Sequence, residues 1–167
     1  ELSPDLTHEL VSLAKSTRTT LNVVVQAAWA ILLSRANRTS QVTFGTTVSG
    51  RPAELAGVEG MVGLFINTIP AVLDVDPQAT LAEFLVRLQQ NYIARDEFSY
   101  FPLSRIQAML EGQTQRSLFN SLFVFENYPR AVAGSQNIDR TGMQIKNLES
   151  NQGNNFPLTL IASYSDV

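Results

Sequence analysis

Histidine occurs once in this 167-residue chain, at His8, and cysteine does not occur at all. A lone imidazole works as a base only when a second group orients it, and no such group stands near His8 in sequence. Metal binding needs several convergent ligands, which one histidine and no thiolate do not supply, so no metal site is assigned. The close acidic pairs are Asp74 with Asp76 and Asp96 with Glu97. Both fall at the ends of predicted elements, where carboxylates cap and stay solvated, and a hard-cation loop needs more oxygen ligands. Ser49-Gly50 lacks the flanks of a nucleophile elbow. The glycines between Val42 and Gly63 are followed by no lysine that would reach a phosphate. Read on its own residues, the chain has no acid–base machine and no catalytic residue is assigned.

One polar pair sits in an unusual place. Asn67-Thr68 interrupts the run Met61 to Pro70, whose β-branched and aromatic residues bounded by Gly and Pro predict a strand continuing to Val75. A second strand is predicted over Val42 to Val48. Between them lies a Gly- and Pro-containing excursion, Ser49 to Gly57. The pair of strands is expected at the centre of a sheet, with the polar pair near one end.

The elements that would hold this sheet follow in order. Ser3 as N-cap, Pro4 and Asp5 open a helix over 3–15 with Leu6, Leu10, Leu13 and Ala14 on one face. Leu21 to Arg35 is apolar on nearly every side, broken by Gln26, and predicts a central buried helix. Such all-round apolarity suggests a body larger than one two-layer lobe. Thr80 and Glu83 form a capping box that opens a helix over 81–97, and a shorter helix over 103–110 follows Tyr100-Phe101-Pro102. Leu118 to Phe125 and Phe156 to Tyr164 read as strands, with Pro157 marking the last as an edge. Trp29, Phe123 and Phe125 are assigned to the core. The order helix, helix, strand, strand, helix, helix, strand, strand predicts an α/β two-layer lobe with a mixed sheet.

Composition narrows the partners. With 44% hydrophobic residues and a net charge of -3, the chain is neither disordered nor a nucleic-acid binder, and its scattered arginines form no run that tracks phosphates. Without cysteine the redox compartment stays open. Glu1 to Lys15 lacks the form of a signal peptide, and Val23 to Leu33 is too short to span a bilayer. A soluble, cytoplasmic location is expected. The last strand runs almost to Val167 with no closing helix, so a cut within a larger domain is expected there.

Residues 21–33, 42–52 and 62–68, followed by Phe101 to Gln107, Ser117 to Pro129 and Asn155 to Leu160, resemble in order and spacing the C-terminal half of nonribosomal peptide synthetase condensation domains. The resemblance covers nearly the whole chain. It implies the chloramphenicol acetyltransferase-like fold, two lobes in a V, of which residues 1–167 would be the C-terminal lobe of a partial domain. The His-His-x-x-x-Asp-Gly signature of the N-terminal lobe is nowhere in this sequence. The isolated chain is therefore expected to be inactive, half of an enzyme that joins an acyl thioester on an upstream carrier protein to an amine on a downstream one.

The resemblance also implies partners and sites. The partners are the missing lobe and the two carrier proteins, whose 4'-phosphopantetheine arms enter a tunnel between the lobes; no cofactor is bound directly. Residues 50–61 resemble the floor loop beneath that tunnel, and 129–155 resemble the latch that crosses to the other lobe. Arg51, Gly63, Phe65, Asn67 and Thr68 match positions of tunnel or substrate-channel segments, the last four in the Gly-x-Phe-x-Asn-Thr strand. Asn67 has two readings: its amide bonds a backbone or pantetheine amide, or it fixes the end of a strand. Two segments depart from the family pattern. Asp96 to Pro102 stands where many members have His-x-Asp-x-Pro-Phe, and Gly112 to Ser117 keeps only Arg116 of an Arg-Asp segment. The alternative from another class is a non-catalytic α/β module that docks carrier proteins or serves as scaffold. Self-association of the fragment is expected if apolar surface made for the other lobe is left open.

Overall fold

The computed structural model describes residues 1–51, 55–110, 117–126 and 155–164. Two helices come first, α1 (Pro4–Ser16) and α2 (Leu21–Asn37). Ser3 and Thr20 cap them, each side-chain oxygen accepting from a backbone N–H of the first turn. Strand β1 (Gln41–Val48) follows, then a 3-10 turn at Val58–Gly60 and strand β2 (Asn67–Asp74). Helix α3 (Leu81–Asp96) opens on the predicted capping box, with Thr80 and Glu83 bonded reciprocally. Helix α4 (Leu103–Leu110), β3 (Ser121–Glu126) and β4 (Leu158–Ser163) complete the order.

Among the described residues the sheet is mixed and four-stranded, in the order β2-β1-β3-β4. Antiparallel β1 and β2 pair from Gln41 with Asp74 to Val48 with Asn67. Strand β3 runs parallel to both β1 and β4. The α/β mixed-sheet lobe read from the sequence is therefore the fold observed, but the centre is displaced. Among the described residues, strand β2 is an edge and β1 with β3 are the middle. Pro70, with no N–H to donate, suits that edge.

The predicted strand over Met61 to Pro70 also needs correction. Pairing begins only at Asn67, and Met61, Val62, Leu64 and Ile66 lie exposed ahead of it. Alternating apolar residues satisfy the pattern of a strand without a neighbouring strand to pair with. The segment is unpaired chain with a bend at Gly63.

Helices α2 and α3 pack on one face of the sheet with α1 against α2, and the core lies between. Val23, Ala27, Trp29 and Ala30 of α2 meet Phe84, Leu85 and Leu88 of α3 and Val42, Phe44, Ala71, Leu73 and Phe123 of the strands. The Phe44 and Phe123 rings sit 6.2 Å apart, tilted by 60°. Trp29 and Phe123 are buried as expected, whereas Phe125 is half-buried at the core's margin. Helix α2 is thus covered largely within this chain, and its apolarity does not require a larger body. On the opposite face Phe119, stacked on Phe156, lies across β1 so closely that any side chain at Gly45 would collide with its ring.

Candidate functional site

The five residues singled out from the sequence fall where β1 ends and β2 begins. The pairing of Val48 with Asn67 closes the ends of the excursion 49–66, so Arg51, Gly63, Phe65, Asn67 and Thr68 all belong to one loop and its exit. Their side chains form two separate arrangements.

Arg51 is half-buried inside the loop. Its guanidinium donates from Nη1 to the Val58 carbonyl and from Nη2 to the Met61 carbonyl at 3.1 Å. The same group lies 4.1 Å from the centre of the Phe65 ring. Gly63 borders the other part of that ring, 3.2 Å from where a β-carbon would stand to Phe65 Cε2. Gly50, at φ +58°, packs directly on the Phe65 carbonyl, so no other residue fits there without displacing backbone.

Asn67 faces the corner between α3 and α4. Its Nδ2 donates to the carbonyls of Ser99 and Phe101, both at 2.8 Å, and its Oδ1 accepts from the Thr68 N–H at 2.8 Å. Both amide hydrogens are engaged, so this geometry is that of a strand-end brace. Thr68 pairs with Thr47 near the end of the β1–β2 ladder. Residues 52–54 of the candidate floor loop, Arg116, and the candidate latch up to residue 154 lie outside the described residues.

A second polar centre is one that the sequence pattern did not point to. Gln26, fully buried in α2, donates to Asn22 Oδ1 at 3.1 Å and accepts from Arg95 Nη2 at 3.4 Å. Arg95 Nε donates to its own helix at Asn91, while its Nη1 and Asn91 Oδ1 are buried without a partner among the described residues. Burial pushes the Arg95 pKa down to about 10, with the neighbouring Tyr92 acting in the opposite sense. Burial, and then Asp96, raise that of Tyr92. The signal available was Gln26 itself, one amide in an apolar run, four residues from Asn22.

None of these groups makes a nucleophile–base pair. His8 is exposed on α1, and no cluster of three or more histidine, aspartate or glutamate residues able to hold a metal occurs among the described residues. A cavity of about 440 Å³ opens at the other end of β1, between Asn37, Gln41, Ser117, Phe119 and Leu158, far from Arg51 and Asn67 along the strand. No helix among the described residues is long and apolar enough to cross a membrane.

The family model of the condensation domain matches residues 1–166, and the chain belongs to that family. A linear gramicidin synthase of Brevibacillus parabrevis is 39% identical over 160 residues, 96% of this chain and 2% of the synthase. Surfactin synthase subunit 3 of Bacillus subtilis (strain 168) is 38% identical over 165 residues, 99% of this chain and 13% of the subunit. This chain thus spans only a small part of its curated relatives. Among solved structures, the first condensation domain of the CDA synthetase superposes with a TM-score of 0.68 at 22% identity, covering 77% of this chain and 29% of that one. A four-domain nonribosomal peptide synthetase bound to AMP and glycine gives 0.66 at 23%, covering 77% and 10%. These likenesses establish the shared fold.

Proposed function

We propose that this chain is the C-terminal lobe of a nonribosomal peptide synthetase condensation domain. The parent forms an amide bond between an acyl or peptidyl thioester on an upstream carrier protein and an amine on a downstream one. The amine nitrogen attacks the thioester carbonyl, the carrier thiol leaves, and the amine proton is given up. This lobe supplies tunnel wall, floor and acceptor-side surface, and the histidine signature stands in the N-terminal lobe. In such a reaction the lobes act by holding amine against carbonyl and by stabilising the charge that develops there. The 4'-phosphopantetheine belongs to the carriers, and the setting is cytoplasmic. The observation that carries this reading is a family match running over 1–166 on a chain whose described residues assemble no acid–base pair.

The test is activity with and without the other lobe. Incubated with loaded carrier proteins, the isolated chain should form no peptide above a protein-free control, while the two-lobed parent should. Turnover by the isolated chain would overturn the half-domain reading. An inactive parent would favour a docking or scaffold module.

A further inference from the structure

We infer that Arg51 is a positioning residue: it locks the loop 55–66 into a single shape from within, with Phe65 as the plate against which it is pressed. The inference rests on the condensation function only for its kinetic consequence; the lock itself is a property of the loop.

Several contacts converge on it. The Val58 carbonyl takes two donors, the Arg51 guanidinium and the Met61 N–H at 3.2 Å, so Arg51 is tied to the same carbonyl that closes the 3-10 turn. The Met61 carbonyl accepts from Arg51 Nη2. Val58 anchors that turn, its side chain 5% exposed. The face of the guanidinium, left free by in-plane bonding, covers Phe65. A planar guanidinium sends donors from two separate nitrogens to the two carbonyls and keeps its flat face for the ring; an ammonium has its three donors on one atom and no flat face to stack.

The spacing of the surrounding residues follows from this packing. Gly63 leaves room for the ring of Phe65 two residues later, and Gly50 leaves room for its carbonyl. Gly50, Arg51, Gly63 and Phe65 are therefore one mechanical unit. With Phe65 turned inward, Val62, Leu64 and Ile66 are turned outward. Among the described residues, the Arg51 hydrogen bonds go to the loop's own backbone, and its effect on a bound substrate passes through the loop.

Amide hydrogen exchange on the full chain tests this with three variants, Arg51→Lys, Arg51→Leu and Phe65→Leu. Exchange in residues 55–66 should quicken roughly tenfold or more in all three, with β1 and α3 unchanged. In the two-lobed parent, Arg51→Lys and Arg51→Leu should both lower kcat by about tenfold or more, with carrier KM little changed, as expected when a positioned element loosens. Wild-type exchange across 55–66 in Arg51→Lys and Arg51→Leu would overturn the inference, as would full rescue of loop protection by lysine. Because exchange is read without turnover, a parent that fails to condense removes the proposed function and leaves the lock standing.

Discussion

Asn67 shows how a residue can be found in a sequence while its work is not. Its place beside Thr68 in an apolar run marked it, but its partners, the carbonyls of Ser99 and Phe101, lie beyond an intervening helix. No local pattern encodes that contact. A tunnel-facing amide would be removable without loss of stability, whereas the brace observed is not. Asn67→Ala should cost about 1–3 kcal/mol by urea denaturation, since two partly buried carbonyls lose their donor. Stability equal to wild type would return Asn67 to the tunnel. Trp29 was legible both as a residue and as core, because a lone large ring in an apolar helix has little else to do. At 6% exposed it should cost about 3–5 kcal/mol as Trp29→Ala. Trp29→Phe should cost far less, since Nε1 makes no hydrogen bond among the described residues. A large loss in the phenylalanine variant would mean that the indole nitrogen is bonded after all.

Among the elements, those with local causes were the ones readable in advance. Caps at Ser3 and Thr80 and apolar periodicity fixed the helices to within a residue or two. The strands were recognised as segments, but their order was not readable, because pairing is settled by which segments meet. The error over 61–66 has the same origin: alternation describes a strand's faces and says nothing of its neighbours. The capping box of α3 gives a pH signature. Hydrogen bonds from the Thr80 backbone and hydroxyl, aided by Arg87, hold the Glu83 carboxyl below its ordinary value of 4.5. A carboxylate with a lowered folded pKa adds stability that is present above the unfolded value and lost as pH falls through the folded one. The melting temperature of the wild type should therefore drop more on acidification below pH 4.5 than that of Glu83→Gln. Parallel curves for the two proteins would remove the box as the source.

At the scale of the molecule, the question is where the apolar surface goes. Helix α2, whose composition called for an outside partner, is covered largely by α1, α3 and the sheet, with Leu32 left open. Among the described residues the most exposed large apolar side chains are Val62 at 102% and Leu64 at 93%, with Ile66 beside them. A few hundred Å² of such surface is worth several kcal/mol at roughly 25 cal/mol per Å² before the entropy of association is charged against it. The remainder supports weak association of the isolated chain with itself, in the absence of the lobe proposed to adjoin it. Sedimentation over a concentration series should show a weight-average mass rising above that of the 18.4 kDa monomer. Val62→Ser with Leu64→Ser should hold the chain as a monomer while leaving its unfolding midpoint nearly unchanged, because neither side chain contributes to the core. A wild-type chain that stays monomeric at tens of micromolar (roughly a Kd above 10⁻⁴ M, about -5 kcal/mol) would show that this strip is too small to drive association. Association that persists undiminished in the double variant would place the sticky surface on another part of the chain, such as the sheet face carrying Val72 and Ile161.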